Sequence, residues 1–198
     1  MTGSTHVAIA AAATVAYSLA VGHSPDAAGW IAVVVGSLAP DIDSGGGTIA
    51  RPGSLLARLL PRWLAWLLDQ IGLFISGLVR SILGHRNATH WPVWALIMMA
   101  LGLNLGWPWL MWFAWGYLWH ILGDFLTKSG VPLLGPLWTK DFSCSPLRTG
   151  TWAEFTLVAT PCWAFILWQG WEMIPGPARY WVGRFAYSLL GLIGGQHG

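Results

Sequence analysis

The sequence predicts an all-α protein, a polytopic membrane bundle of about six short transmembrane helices plus one interfacial or re-entrant helix. Its composition is 55% hydrophobic and only 9% charged, whereas soluble domains carry roughly 25% charged residues. It contains 16 tryptophans, many beside apolar runs, and indole rings favour the lipid–water boundary. The apolar runs are separated by short Gly- and Pro-containing turns, which suit antiparallel helices. A soluble enzyme with a buried core is the less favoured alternative.

Six apolar runs predict the helices of this bundle. Several are shorter than the roughly 20 residues that cross a hydrocarbon core of about 30 Å. We expect one integral membrane domain over residues 1–198, with the polar motifs in 1–140 and two additional membrane helices in 152–195. The predicted helices are 4–21, 27–39, 91–105, 109–126, 152–171 and 179–195.

Residues 55–83 allow two placements. Arg58, Arg62 and Arg80 flank this apolar segment and Asp69 interrupts it, so it could cross the membrane or lie in the interface. We predict the interfacial placement, because a crossing here would divide the histidines and acids of the chain between the two membrane faces.

Several protein classes are disfavoured by simple features of the chain. The start MTGSTH lacks the basic region of a cleavable signal peptide. Cys144 and Cys162 are too few and too far apart in sequence for a disulfide framework or a thiolate metal site. The net charge of +2 without a basic stripe gives no reason to expect nucleic acid as a partner. The absence of a G-x-S-x-G motif disfavours a covalent serine hydrolase.

The predicted topology brings the scattered ionisable residues to one membrane face. His6 begins the first helix, and two crossings later the chain returns to that side at the PDID turn. The helices 91–105 and 109–126 form a second pair whose ends return to the same side. Ionisable residues beside a bilayer are costly and usually mark function. The converging residues are His6, Asp41, Asp43, His85, His90, His120 and Asp124.

The basic residues indicate which face this is. Eight lie on the predicted side of the cluster and two on the opposite side. Because Lys and Arg are enriched in cytoplasmic loops, the cluster is predicted to face the cytoplasm. The eight are Arg51, Arg58, Arg62, Arg80, Arg86, Lys128, Lys140 and Arg148, and the two are Arg179 and Arg184.

Each motif of the cluster also has a plain structural explanation. In HILGD, His120 and Asp124 lie one helical turn apart, which suits a shared ion but equally a simple hydrogen bond. In HRNATH, His90 could cap the helix that begins near Pro92, and His85 could be a surface residue. The acids of PDID could cap a helix or lie on a solvated turn. The metal hypothesis therefore depends on all of them meeting.

Histidine and carboxylate ligands together suit Zn²⁺ or a similar first-row divalent ion. Seven candidate ligands exceed the needs of one tetrahedral ion, so we expect one or two ions, or supporting residues around one. Asp41 or Asp43 is the candidate general base. Arg86 and Lys128 could steady an anionic group such as a phosphate, although for Lys128 the cytoplasmic charge bias is an equal explanation.

Five motifs occur in order along residues 1–140. They are TH (Thr5, His6), PDID (40–43), HRxxTH (85–90), HxxxD (120–124) and SGVPLLGP (129–136). This set resembles the YdjM-like, LexA-regulated family of membrane-bound metal-dependent hydrolases. The resemblance implies a bacterial inner-membrane protein of the SOS response. It also implies metal binding by His6, Asp41 or Asp43, His85, His90, His120 and Asp124, and it leaves Arg86 and Thr89 without an assigned role.

The sequence thus favours an integral inner-membrane hydrolase. Its cytoplasm-facing metal centre would activate water against a phosphoester or lipid-linked substrate, and its expected partner is the lipid bilayer. The alternative is a non-catalytic metal-binding membrane protein or a metal-ion carrier. A carrier needs ligands near the bilayer midplane, whereas most predicted ligands here lie at helix ends.

Overall fold

Helices make up nearly all the regular structure in the part of the protein that its computed structural model describes, residues 1–83 and 88–173. Within these ranges the remaining regular structure is limited to isolated β-bridges in the loop after residue 126. This confirms the all-α prediction. The helices are α1 (Gly3–Val21), α2 (Ala27–Leu38), α3 (Pro52–Leu55), α4 (Arg62–Leu83), α5 (Pro92–Leu105), α6 (Pro108–Phe125), α7 (Trp152–Glu154) and α8 (Thr160–Met173), with short 3₁₀ turns at Ala39–Asp43, Thr48–Ala50 and Ala88–His90.

Helices α2 and α6 pack with their backbones in close contact. A side chain at Gly36 would bring its Cβ atom to 2.1 Å from the carbonyl oxygen of Phe113. A side chain at Gly116 would bring its Cβ atom to 2.2 Å from the carbonyl oxygen of Val33. Small residues allow helices to approach this closely, as is common between membrane helices. The crossing fixes the end of α2 beside the middle of α6.

Short capped turns make antiparallel pairs of α1 with α2 and of α5 with α6. Helix α1 ends at Gly22 and α5 at Gly106, both in the left-handed conformation, with φ of 71° and 64°. The Asp26 side chain caps α2 by accepting a 2.7 Å hydrogen bond from the Gly29 backbone N–H. Pro108 begins α6, where its missing N–H costs nothing. These boundaries lie within a few residues of the predicted ones.

The predicted helix over 152–171 is present as one continuous helical run over 152–173, with a wider turn near its start. Between α7 and α8 lies a π-helical turn, Phe155–Ala159. Pro161 explains it, since proline has no N–H and its ring clashes with the carbonyl one turn earlier, at Leu157. A wider π turn relieves that clash. The predicted helix over 179–195 lies outside the described residues.

Two of the described helices are long and apolar enough to cross a membrane, Gly3–Val21 and Arg62–Ile82. Helices α2 and α5, with 12 and 14 residues, are about 18 Å and 21 Å long at 1.5 Å per residue. Both are shorter than a hydrocarbon core of about 30 Å. The predicted count of six spans is therefore not confirmed.

Helix α4 presents an apolar face that the described part of the chain leaves exposed. Trp63, Phe74 and Ile82 are exposed on it. On another side, the Asp69 carboxylate accepts hydrogen bonds from the backbone N–H and the hydroxyl of Ser54, the former at 2.9 Å. The acid in this apolar segment therefore anchors α4 to α3. Such a two-sided helix suits a membrane interface, and its length also permits a crossing, so the interfacial placement stays a prediction.

Candidate metal centre

Four ionisable side chains from three parts of the chain meet inside the bundle. Asp41 lies on the 3₁₀ turn after α2, His90 on the 3₁₀ turn before α5, and His120 and Asp124 on the last turns of α6. One ligand atom from each residue lies within 4.8 Å of those of the others. His90, His120 and Asp124 are buried, and Asp41 is half-buried. Because His120 and Asp124 are four residues apart on one helix, both side chains point toward this group.

His6 joins this group from the first turn of α1. Its Nε2 atom lies 3.3 Å from Asp124 Oδ1. Its ring stacks on that of His120, with centroids 3.6 Å apart and planes 12° from parallel. The α-amino group of Met1 also contacts Asp124 Oδ1. The second oxygen, Oδ2, is therefore the one that faces the other two histidines. We call these five residues, His6, Asp41, His90, His120 and Asp124, the His/Asp cluster.

Two carboxylates face two imidazoles across the centre of the cluster. Asp124 Oδ2 lies 3.6 Å from His90 Nε2 and 3.5 Å from His120 Nε2. Asp41 Oδ1 lies 3.8 Å and 3.9 Å from the same two nitrogens. These separations are too long for hydrogen bonds. They are close to the spacing of about 3.4 Å between neighbouring ligands of one tetrahedral zinc ion with bonds of 2.0–2.2 Å.

The hydrogen bonding of His120 turns a lone pair toward the cluster. Its Nδ1 atom lies 2.7 Å from the backbone carbonyl oxygen of Ser37, which can only accept, so Nδ1 carries the proton. In the neutral ring, Nε2 is then the free electron-pair donor. Metal-binding histidines characteristically have their other ring nitrogen fixed in this way. The Nδ1 atom of His90 lies 3.0 Å from the Thr89 hydroxyl, which can donate or accept and so positions the ring without assigning its proton.

The histidine nitrogens that face into the cluster have no hydrogen-bond partner in the described structure. The Nε2 atoms of His6, His90 and His120 are buried and make no hydrogen bond to any described residue. Buried polar atoms normally have partners, and exceptions call for an explanation such as an ion. Three unsatisfied imidazole nitrogens beside two carboxylates fit a divalent cation.

Residues outside the cluster hold the turn that carries His90. The Tyr117 hydroxyl on α6 donates a hydrogen bond to the Thr89 carbonyl oxygen. On the other side, a Cβ atom at Gly135 would lie 2.1 Å from Cδ1 of the Trp91 ring, so only glycine fits there. The SGVPLLGP segment therefore packs directly against the residue that follows His90.

Glu154 supports the cluster from the far end of the sequence, and the sequence analysis did not identify it. Its carboxylate is buried and accepts hydrogen bonds from the Thr2 backbone N–H at 2.7 Å and the Thr2 hydroxyl at 3.1 Å. It also accepts one from the Gly150 backbone N–H at 2.7 Å. Glu154 thus fixes the start of α1, one turn before His6. A lone acid in an apolar run was the available signal.

Of the three remaining predicted site residues, the structure describes only Asp43. Asp43 is buried on the same turn as Asp41 but is not one of the four grouped donors. His85 and Arg86 lie outside the described residues.

The fold and the cluster define a helical protein with apolar helices of membrane-spanning length and a buried His/Asp group able to hold a metal ion. The family model of the YdjM inner membrane protein matches residues 1–194, and the chain belongs to that family. This confirms the resemblance found in the motifs and extends it beyond residue 140. Comparisons with curated proteins and with solved structures found no match.

Proposed function

We propose that this protein is an integral inner-membrane hydrolase that uses a divalent metal to activate water against a phosphoester or lipid-linked substrate. The observation that carries the proposal is the group of Asp41, His90, His120 and Asp124, whose donor atoms lie within 4.8 Å of one another. An inner-membrane family and a helical fold agree with the proposed location.

Zn²⁺ is the proposed ion, because two imidazoles and two carboxylates form a donor set typical of it. His6 lies against Asp124 and His120, where it would orient these two or bind a second ion. Asp43 and His85 remain proposed ligands on sequence grounds. The number of ions is therefore one or two.

When bound, such an ion would lower the pKa of a bound water to about 7 and would polarise a phosphoryl oxygen of the substrate. Asp41 is the more accessible acid, with 18% of its side chain exposed against 2% for Asp124. We therefore assign Asp41 the role of general base through the carboxylate oxygen that does not bind the ion, with Asp43 as the alternative from the same turn. Arg86 is proposed to offset the negative charge of the phosphoryl group.

The proposed reaction balances with water as the only co-substrate. The water oxygen bonds to phosphorus while the ester P–O bond breaks. Asp41 takes one proton from the water, and a proton is returned to the oxygen of the leaving alcohol. The products are a phosphate or phosphomonoester and an alcohol.

The position of the cluster suits a substrate at the membrane surface. His6 lies at the beginning of α1, and His120 and Asp124 lie at the end of α6, so the ligands occupy one end of the helix bundle. The cytoplasmic orientation of that end follows from the predicted charge bias, and participation in the SOS response follows from the resemblance; both are part of the proposal.

The second candidate function is a structural metal site or a metal-ion carrier. The observation that favours it is burial, since His6, His90 and His120 have no exposed surface. A site used only to hold an ion has no need of an opening. The half-buried Asp41 favours the enzyme, because it leaves one side of the cluster accessible.

One experiment separates these functions. The purified protein is assayed for bound metal by mass spectrometry, then for phosphodiester and phospholipid hydrolysis with and without chelator. The His120→Ala variant should lose metal and activity, whereas His23→Ala, whose ring stacks on Trp112 away from the cluster, should keep both. Stoichiometric metal without hydrolysis, together with ion flux in liposomes, would establish a carrier instead. If the wild-type protein contained no bound metal, both proposed functions would be contradicted.

A further inference from the structure

An open cleft of about 490 Å³ adjoins the segment that follows the His/Asp cluster. One wall is Lys128 and Ser129, and the other is Leu147, Arg148 and Thr149. We call it the Lys128–Arg148 cleft.

The first wall is tied to the metal centre through α6. The Thr127 hydroxyl donates a 2.8 Å hydrogen bond to the backbone carbonyl oxygen of Asp124, a member of the cluster. The next residue, Lys128, donates its backbone N–H to the Leu147 carbonyl oxygen at 2.7 Å, which joins the two walls. The cleft therefore begins within one helical turn of a cluster carboxylate.

The second wall is tied to the metal centre through Glu154. One oxygen of this carboxylate accepts the Gly150 N–H, two residues after Arg148, and the other accepts the Thr2 N–H at the start of α1. Both distances are 2.7 Å. The loop that carries Arg148 and the helix that carries His6 thus share one anchor, so the cleft has a fixed position relative to the cluster.

The charge of the cleft is uncompensated within the described part of the chain. Lys128 and Arg148 are exposed, and neither forms an ion pair with a described carboxylate. Two cations lining one opening repel each other, and an anion between them removes that cost. Ser129 and Thr149 add hydroxyl groups that can hydrogen-bond to anion oxygens.

Phosphate is the anion that fits these donors best. A guanidinium group offers two parallel N–H donors to phosphate oxygens, and an ammonium group adds a compact charge. At the end of a membrane bundle, anions of this kind are carried by phospholipid headgroups and by soluble phosphate esters.

We propose that the Lys128–Arg148 cleft binds a phosphate group and holds it beside the His/Asp cluster. The inference rests on the proposed hydrolase function in naming this phosphate as part of the substrate. Binding itself requires neither the metal nor hydrolysis, so it can be tested separately.

The test is a binding titration of the full-length protein in detergent after metal removal by chelator. The probes are phosphatidylglycerol, phosphatidylcholine as the lipid without net charge, and inorganic phosphate, with bound lipid counted by native mass spectrometry. Because a direct hydrogen bond to the phosphate contributes about 1 kcal/mol, Lys128→Ala and Arg148→Ala should each weaken phosphatidylglycerol binding about fivefold and together about 30-fold. The exposed Lys140, which does not line the cleft, provides the matched control Lys140→Ala.

The outcomes are distinct. Selective loss in the cleft variants, with Lys140→Ala unchanged, supports the proposal. Competition by inorganic phosphate would then identify phosphate itself as the ligand, and its failure to compete would identify the lipid-attached group. Equal binding by wild type and the double variant, or equal losses in Lys140→Ala, would overturn the proposal. Binding of phosphatidylglycerol in this way, without hydrolysis of any phosphoester, would contradict the proposed hydrolase function but still support phosphate binding in the cleft.

Discussion

The Nδ1 atom of His120 donates a 2.7 Å hydrogen bond to the backbone carbonyl oxygen of Ser37, 83 residues away in sequence. The bond joins the end of α2 to α6 at the point where their glycines bring the backbones together. It also directs the other nitrogen of His120 toward Asp124 and Asp41. One hydrogen bond therefore both joins α2 to α6 and fixes the tautomer of His120, a candidate metal ligand.

The first prediction concerns this helix crossing. Gly116→Ala places a Cβ atom 2.2 Å from the Val33 carbonyl oxygen, so α2 and α6 must separate. Overpacking of this kind costs about 1–3 kcal/mol, and the Ser37–His120 hydrogen bond should lengthen with it. We expect a lower thermal midpoint in detergent and weaker metal binding.

Gly77→Ala is the matched control for Gly116→Ala. Gly77 is also within a helix, and its Cβ position is open. Replacing an exposed helical glycine with alanine should raise stability by up to about 1 kcal/mol. Equal effects of the two substitutions on metal binding would show that the helix crossing does not support the site.

The second prediction concerns Asp124. Asp124→Asn removes the negative charge that faces His6, His90 and His120, and the amide cannot replace it as an anionic ligand. We expect metal content measured by mass spectrometry to fall well below one ion per chain. Asp26→Asn, a change of the same type in the cap at the opposite end of α2 from Asp41, should keep its metal. Retention of a full ion by Asp124→Asn would contradict the assigned ligand set.

The third prediction concerns Glu154. Glu154→Ala removes acceptors from the Thr2 and Gly150 backbone N–H groups and frees the start of α1. Outer residues that orient metal ligands typically contribute 10–100-fold in affinity, so we expect a loss of about tenfold or more in metal affinity. Glu154→Gln keeps one oxygen acceptor and should lose less.

Glu172→Gln provides a comparison near the end of α8, and it should leave metal affinity unchanged. Metal titration with a competing chelator measures all three variants. If Glu154→Ala bound metal with wild-type affinity, the Glu154 carboxylate would not support the metal site.

The fourth prediction links metal binding to stability. An ion that binds only the folded protein stabilises it by about 2.7 kcal/mol at a concentration 100 times its Kd. We therefore expect the thermal midpoint to rise as Zn²⁺ is added to chelator-treated protein and to fall again with excess chelator. His120→Ala should show no such response. A Zn²⁺-induced shift of equal size in His120→Ala would place the ion elsewhere.

The fifth prediction concerns the placement of α4. With Cys144 and Cys162 replaced by serine, single cysteines are introduced as Asp69→Cys and Phe74→Cys. For an interfacial helix, an impermeant maleimide should label position 69 from one side of the membrane and leave position 74, on the exposed apolar face, protected. Protection of both positions from both sides would show that α4 crosses the bilayer.

Sequence reasoning was most successful where spacing alone defines geometry. The i, i+4 pair of His120 and Asp124 does share one helix face, and the residues that the topology was expected to collect at one end include His6, Asp41 and His90, which the structure places beside that pair. The helix boundaries were close because Gly22 and Gly106 stop helices for local reasons.

The remaining features depend on contacts that no local pattern specifies. The carbonyl of Ser37 is chemically the same as any other until α2 meets α6. Which acid of PDID lies beside the histidines depends on the conformation of the turn, which places Asp41 there. Glu154 acquires its role from Thr2 and Gly150, so its place as a lone acid in an apolar run marks it as unusual without indicating what it holds. The predicted helix over 152–171 is continuous, and the π turn before Pro161 is a local widening that the sequence analysis did not predict.

The hydrogen bond from Thr2 to Glu154 spans 152 residues and so has a consequence for biosynthesis. At about 5–20 residues per second, the ribosome needs roughly 8–30 s to make the carboxylate after the amide it will hold. During that interval the start of the helix that carries His6 lacks this anchor. Metal loading should therefore complete only near the end of translation, and nascent chains arrested before residue 154 should acquire the ion poorly.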